Sequence, residues 1–164
     1  MRVFSLVLLL VTTASSVGLA QQSPPVDFSP LAFLVGSCWI GTFPDGKQTD
    51  EHCFEWVYDK KFIRDRHVVR GGQPYQGETL YGWDPREKQL SFWYFNSDGQ
   101  VIRGEVENTQ EGLVFPERIT TPEGEVELKS VWTRQGENGY RVWQGQRTGE
   151  TWKTLWTMEF KRTS

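Results

Sequence analysis

The sequence predicts an all-β protein, with about ten antiparallel strands in an up-and-down β-barrel that follows a short N-terminal helical turn. Two observations carry this prediction. Aromatic residues form 14% of the 164-residue chain, including eight Trp, and aromatic side chains favour the half-buried surfaces of pleated sheets. Stretches of alternating apolar and polar residues also recur between turn signals at short intervals, which leaves no room for a long helix. Closure into a barrel removes the exposed sheet edges.

The charge balance limits the classes of function that are expected. The chain carries 18 basic and 21 acidic residues, for a net charge of −3. Without a basic excess, a dedicated nucleic-acid binder is not expected. No apolar run of about 20 residues occurs beyond the N-terminus, so we expect no stable membrane insertion once that segment is removed.

Residues 1–20 have the pattern of a cleavable secretory signal peptide. Arg2 supplies the positive charge, 3–11 are apolar apart from Ser5, and small residues lead to a predicted cleavage after Ala20. The apolar stretch is short for a membrane anchor. The protein is therefore predicted to be secreted or periplasmic. Residues 21–29 are predicted to be a mobile lead segment, and 30–164 a single barrel domain that begins with the helical turn at 30–35.

Ten strands follow this turn in the prediction, each ended by Gly, Pro or Asp-rich turns. They span 37–43, 49–58, 62–70, 77–84, 89–97, 100–108, 112–120, 125–134, 140–147 and 152–162.

The first two hairpins define a predicted register. A loop at 44–47 places Cys38 opposite Cys53, at disulfide distance, and an exported chain with two Cys is typically oxidised. Placing Tyr58 opposite Ile63 pairs Glu55 with Arg66, and Glu51 with Arg70, on the outer face. The inner face then carries several polar side chains. They are Asp50, His52, Asp65 and His67.

Later hairpins are predicted in the same way. A two-residue turn at Asp98-Gly99 places Trp93 and Phe95 inside. It leaves an aromatic patch of Tyr81, Trp83, Phe92 and Tyr94 outside, which marks either a partner surface or a reversal of the two faces.

In the last hairpins, a turn at 121–124 pairs Arg118 with Glu127 outside and places Glu117 inside. A loop at 136–139 places Trp143 and Arg147 inside. The last strand is expected to contribute Trp152, Thr154, Trp156, Met158 and Phe160 to the interior.

The segment from Leu34 to Gly41, with the sequence LVGSCWIG, resembles the opening of calycin barrels, a group that includes lipocalins, fatty-acid-binding proteins and nitrobindin-like families. Together with YGWDP at 81–85 and NSDG at 96–99, it resembles secreted lipocalin-like domains of unknown function. The resemblance implies a ligand-binding barrel in which Lys161 or Arg162 of the last strand packs over Trp39. In contrast to nitrobindin-like proteins, no His follows His67, so their haem site is not expected.

The two histidines are the first candidate site. In the predicted register they are diagonal neighbours on the inner face, beside Asp50 and Asp65. Such a group could act in acid–base catalysis, with His52, His67 and Asp65 as candidates, or could hold a metal or an anion. The alternative is a polar lining in which each His is satisfied by a carboxylate or water.

Glu117 is the second candidate, because an inward carboxylate is costly without a partner. Arg147 is predicted to lie in the same row. The pair could clamp a ligand's carboxylate or phosphate, or form a structural ion pair at the barrel mouth.

The inward aromatic and polar side chains are the usual composition of a ligand pocket. The predicted ligand-binding residues are Trp39, His52, Trp56, His67, Trp93, Glu117, Trp132, Trp143, Arg147 and Trp156. No P-loop, nucleophile elbow or zinc-protease motif occurs, and no metal or cofactor is predicted.

The leading functional hypothesis is therefore an exported barrel that binds a small, largely apolar or aromatic ligand. The alternatives are a barrel enzyme of isomerase, cyclase or hydrolase type, and a non-catalytic envelope module acting through the aromatic patch.

Overall fold

The computed structural model describes residues 26–122 and 124–163. The predicted signal peptide and its cleavage after Ala20 lie outside the described residues. None of the helical structure within these ranges is long and apolar enough to cross a membrane.

Within the described residues, eleven strands form one antiparallel, nearly closed barrel after a short 3-10 turn (Ala32–Leu34). They are β1 (Ser37–Thr42), β2 (Thr49–Val57), β3 (Phe62–Arg70), β4 (Tyr75–Asp84), β5 (Gln89–Asn96), β6 (Val101–Glu105), β7 (Glu107–Thr109), β8 (Gly112–Thr121), β9 (Gly124–Arg134), β10 (Gly139–Thr148) and β11 (Thr151–Thr163). Consecutive strands pair, apart from β6 and β7, and β1 pairs with β11, so the up-and-down architecture is confirmed.

The eleventh strand comes from a break in the predicted strand 100–108. The segment β6 pairs with β5, whereas β7 pairs with β8. Between them, Val106 donates its N–H to the carbonyl of Leu90 at 2.8 Å. One stretch of chain thus passes from one edge of the sheet to the other, and the two edges meet where β6 contacts β8.

The 3-10 turn closes one end of the barrel. Leu31 and Leu34 are fully buried, and the indole of Trp39 donates to the carbonyl of Leu34 at 3.0 Å. The guanidinium of Arg162 lies 4.8 Å from the Trp39 ring, as predicted for a basic residue of the last strand. Phe28, within the predicted mobile lead, is buried with its ring 5.3 Å from that of Trp56, so this part of the lead is held against the barrel.

The register between β1 and β2 follows the prediction. Phe43 donates its N–H to the carbonyl of Gln48, and Cys38 lies opposite Cys53. The two cysteines form the predicted disulfide.

The register between β2 and β3 differs from the prediction by two residues. Tyr58, Asp59 and Lys60 all have positive φ, and they turn the chain one position earlier than expected. Glu55 therefore lies opposite Arg64 rather than Arg66. Since an even shift keeps every side chain on its face, the predicted inner residues of both strands remain inside. Tyr58 is the exception, because it belongs to the turn and is exposed.

The predicted register between β5 and β6 is wrong by one residue. The loop has three residues, Ser97 to Gly99, and Gly99 supplies the positive φ that such a loop requires. A shift of one residue exchanges the two faces of a strand. Trp93 therefore lies outside, with Arg103 above its ring, while Tyr81, Phe92 and Tyr94 point inside. The predicted outer aromatic patch does not exist, and the envelope-module hypothesis loses its structural basis.

The same kind of error affects the hairpin of β9 and β10. Gln135 donates to the carbonyl of Gly139, so the loop has three residues rather than four. Trp143 and Arg147 therefore lie outside, where Trp143 packs under Lys129 and Arg147 packs on Trp152. A bulge near Gln144/Gly145 also places Trp152 and Thr154 on the outer face. Of the β11 residues that were predicted to lie inside, three face the interior: Trp156, Met158 and Phe160.

Candidate functional site

The barrel encloses a cavity of about 390 Å³ in the half away from the 3-10 turn. Five of the predicted ligand-binding residues line it: His52, His67, Glu117, Trp132 and Trp156. The other five do not. Trp39 and Trp56 pack at the closed end, and Trp93, Trp143 and Arg147 lie on the outer face.

One side of the cavity is an aromatic belt that crosses several strands. It runs through Phe92, Phe115, Trp132, Tyr140 and Phe160, with consecutive ring centroids 4.6 to 5.9 Å apart. Tyr140 and Phe160 are stacked face to face, with ring planes 3° apart. Such interlocked rings form a rigid apolar surface.

A polar wall formed by β2 to β5 adjoins the belt, since the His52 ring meets the rings of Phe160 and Trp132 edge-on, with centroids 5.2 and 6.2 Å away. His52 and His67 lie directly opposite each other, because of the two-residue difference in register. Their rings are stacked, with centroids 4.7 Å apart. Asp50 bridges them: one carboxylate oxygen lies 3.1 Å from Nε2 of His52, and the other lies 3.1 Å from Nδ1 of His67.

His52 has a carboxylate at both ring nitrogens, since its Nδ1 lies 2.8 Å from Asp65. Burial lowers the pKa of His52, but the charge of Asp65 and the hydrogen bonds to both carboxylates outweigh it and raise the pKa to about 10. Burial raises the pKa of Asp50, yet its hydrogen bonds from the two histidines outweigh this and hold the pKa well below its usual value. In this state His52 is an imidazolium that donates to both carboxylates.

Two tyrosines extend the wall. Nε2 of His67 lies 2.9 Å from the hydroxyl of Tyr94, which lies 2.5 Å from the hydroxyl of Tyr75. Asn96 donates to Tyr75 at 3.1 Å. Burial and the hydrogen bond to Tyr75 raise the pKa of Tyr94, so this hydroxyl stays protonated.

Gly77 makes the contact between His67 and Tyr94 possible. It lies between His67 and Asn96 in the sheet, and a Cβ atom there would lie 2.6 Å from Nε2 of His67 and would collide with the ring of Tyr94. The sequence prediction missed both tyrosines, since it placed Tyr94 outside and began the strand after Tyr75. A three-residue loop ending in Gly99, in place of the predicted two-residue turn, would have placed Tyr94 on the inner face.

Two buried polar atoms in this region have no hydrogen-bond partner among the described residues, Oδ1 of Asp65 and the hydroxyl of Tyr140. Both residues line the cavity. Burial raises the pKa of Tyr140, so its hydroxyl keeps a proton to donate. A buried donor and acceptor left unpaired are costly, and either could be satisfied by a water or a bound molecule.

Glu117 faces the same cavity from β8. The predicted partner, Arg147, lies outside, and no hydrogen bond or ion pair to Glu117 is found within residues 26–122 and 124–163. Burial raises the pKa of Glu117 to about 7. The proposed carboxylate clamp is therefore wrong, and Glu117 is instead a lone carboxyl that changes protonation near neutral pH.

No protein-family model and no curated protein sequence matches this chain. The fold itself, a nearly closed antiparallel barrel, is consistent with a calycin-like architecture.

Proposed function

We propose that this protein is an exported calycin-like barrel that binds a small, flat, largely aromatic molecule in its interior. The observation that carries the proposal is a cavity of about 390 Å³ that is lined by an aromatic belt and by a hydrogen-bonded polar wall. This volume lies in the usual range for small-molecule pockets, and apolar walls with a few placed polar groups are their usual lining.

The two walls suggest what the ligand looks like. The belt offers ring faces for stacking, with Phe115 and Trp132 4.6 Å apart at its centre. The polar wall offers carboxylate oxygens and tyrosine hydroxyls. A planar ring system that carries one or two hydrogen-bond donors fits both walls, because the donors satisfy carboxylates while the ring replaces water against the belt.

The closed end supports the calycin relationship within this proposal. A first-strand Trp, a short helical turn before it and a basic residue of the last strand meet there, as Trp39, the 3-10 turn and Arg162. Export is supported by the Cys38–Cys53 disulfide, since such bonds persist in oxidising compartments. Sequencing the N-terminus of protein expressed with its leader tests this part, and we expect the mature chain to begin at Gln21.

Ligand binding can be tested with the neutral fluorescent probe N-phenyl-1-naphthylamine. We expect saturable fluorescence enhancement at one probe per chain. Ser130 is buried and lines the cavity, so Ser130→Phe would fill it and reduce probe affinity at least tenfold. The matched control is Thr120→Phe, on the exposed outer face of β8, which should bind as the unmodified protein does.

The opposite pattern would refute the proposal. Absence of enhancement in the unmodified protein, or equal probe affinity in Ser130→Phe and the unmodified protein, would mean that the interior is not a binding site. Equal loss in both variants would place the probe on the surface.

Acid–base catalysis in the same cavity is our second candidate, and Glu117 is the observation that favours it. A carboxyl with a pKa of about 7 can both give and take a proton at neutral pH. The test extracts the molecule that co-purifies with the protein and incubates it with the unmodified protein and with Glu117→Gln. Conversion by the unmodified protein alone supports catalysis, whereas recovery of the molecule unchanged from both refutes it.

A further inference from the structure

We propose that Asp50, His52 and His67 form a binding site for one divalent transition metal ion, of which Zn²⁺ is the best match. The ligand atoms are a carboxylate oxygen of Asp50, Nε2 of His52 and Nδ1 of His67. All three atoms lie within 4.8 Å of one another. This site is argued from these side chains alone and does not depend on the aromatic ligand proposed above.

The spacing of the three groups suits a small ion. Oδ2 of Asp50 lies 3.1 Å from Nε2 of His52, and Oδ1 of Asp50 lies 3.1 Å from Nδ1 of His67. In a tetrahedral zinc site with bonds of about 2.0–2.1 Å, neighbouring ligand atoms lie about 3.3 Å apart. Each ring nitrogen therefore already stands at nearly the right distance from one oxygen of Asp50. Rotation of the Asp50 carboxylate and movement of the two rings towards each other would bring all three ligand atoms onto one ion.

The partners of the two outer ring nitrogens distinguish this cluster from an ordinary polar lining. Metal-binding histidines nearly always donate their other ring N–H to a fixed partner, most often a carboxylate. Nδ1 of His52 lies 2.8 Å from Asp65, and Nε2 of His67 lies 2.9 Å from the hydroxyl of Tyr94. Each nitrogen that would not bind the metal thus already has the partner that such a site requires.

Asp65 adds a further sign of a built site. It is 2% exposed, and its second carboxylate oxygen, Oδ1, has no partner among the described residues. A carboxylate this deeply buried behind a histidine is costly unless a positive charge lies nearby. In the metal-free protein the imidazolium of His52 supplies that charge. A metal ion that displaces the proton at Nε2 would supply it instead, on the far side of the ring, and would increase the acidity of the N–H that Asp65 accepts.

Two imidazoles and one carboxylate are one of the ligand sets of catalytic zinc sites, which keep one position for water or substrate. The three residues all line the cavity, so the remaining position would be filled from the cavity. Calcium and magnesium are poor matches, because both prefer sets made only of oxygen atoms.

The experiment uses tag-free mature protein, stripped with a chelator and titrated with Co²⁺, the spectroscopic substitute for Zn²⁺. We expect one Co²⁺ per chain, with the intense visible absorption of a four-coordinate ion, and displacement by Zn²⁺. Asp50→Asn and His67→Gln should each lower affinity more than a hundredfold. Tyr94→Phe, which removes only the hydroxyl at Nε2 of His67, should lower it 10–100-fold. The controls are Glu55→Gln and Tyr58→Phe, an outer carboxylate and an exposed tyrosine.

A second measurement protects the test against variants that fail to fold. In the unmodified protein, ¹⁵N spectra of the two imidazoles with Zn²⁺ should show metal-induced shifts at Nε2 of His52 and Nδ1 of His67, with protons retained at the other nitrogens. Absence of stoichiometric binding, shifts at the opposite nitrogens, or affinity unchanged in Asp50→Asn would each overturn the proposal.

Discussion

His52 and His67 lie face to face across β2 and β3, with ring centroids 4.7 Å apart and ring planes at 22°. Asp50 holds the pair from one side, while Asp65 and Tyr94 hold the two outer nitrogens. Since every ring nitrogen has a partner, neither ring can turn without breaking a buried hydrogen bond. The polar wall is therefore a rigid surface that lines the cavity beside the aromatic belt.

The contact between His67 and Tyr94 depends on Gly77. In Gly77→Ala the new methyl group would meet Nε2 of His67 at 2.6 Å and collide with the Tyr94 ring, so the two side chains must separate. We expect a loss of about 1–3 kcal/mol in the free energy of unfolding, as for other overpacked sites. Urea unfolding monitored by fluorescence measures it. Gln76→Ala, on the exposed face of the same strand, should change stability by less than about 0.5 kcal/mol, and equal effects of the two variants would contradict this reading.

Glu117 should make stability depend on pH. Burial raises its pKa from 4.5 to about 7, so the folded state holds this proton over a range where the unfolded state has lost it. Below about pH 4.5 Glu117 is protonated in both states and does not make the free energy of unfolding depend on pH. Between pH 4.5 and 7 the free energy of unfolding falls as pH rises, and above pH 7 the loss is complete. Because the side chain keeps some contact with water, we expect Glu117→Gln to stabilise the protein by about 1 kcal/mol at pH 8.5 and by little at pH 4.5.

The measurement for Glu117 is the difference in unfolding free energy between the variant and the unmodified protein at these two pH values. Glu125→Gln, an exposed carboxyl on β9, serves as the control. A gain of equal size at both pH values would show that the benefit comes from packing and not from the removal of a buried charge.

Arg162 should stabilise the closed end of the barrel. Its guanidinium lies 4.8 Å from the Trp39 ring and donates to the carbonyl of Phe33 at 3.1 Å. We expect Arg162→Ala to lower the melting temperature, with a loss of about 1–2 kcal/mol from the cation–π contact and the hydrogen bond. Lys161→Ala, on the neighbouring exposed position, is the matched control. Identical melting temperatures for the two variants would show that Arg162 does not stabilise the closed end.

The Cys38–Cys53 disulfide should stabilise the fold by reducing the conformational entropy of the unfolded chain. The bond closes a loop with a sequence separation of 15 residues, for which chain-entropy arguments give about 3 kcal/mol. The double variant Cys38→Ser/Cys53→Ser should unfold at a correspondingly lower urea concentration. Reduction of the unmodified protein should produce a similar loss, and a midpoint independent of both changes would contradict the prediction.

The strands could be predicted from the sequence because alternation and turn residues report directly on strands and their ends. The inner face could be predicted only where the loop length was right. Errors of two residues, as at Tyr58, kept Asp50, His52, Asp65 and His67 inside. Errors of one residue exchanged the faces of the strand before Gly99 and of the strand after Gly136.

This dependence on loop length explains what the site prediction missed. Tyr94 was placed outside and Arg147 inside, because a three-residue loop was read as two residues in one hairpin and four in the other. The direct opposition of the two histidines was likewise hidden by a turn in which ordinary residues, Asp59 and Lys60 among them, adopt positive φ. The alternation of apolar and polar residues does not reveal loop length or strand register, since the pattern within each strand is the same in the predicted and the observed register.

The central claim is that the barrel interior binds a small molecule, and native mass spectrometry of the mature, tag-free protein tests it most directly. We expect protein gently purified from the periplasm to carry a small-molecule adduct that is lost on denaturation, or to gain one N-phenyl-1-naphthylamine per chain when the probe is added. A mass that corresponds to the bare chain under both conditions would contradict the account.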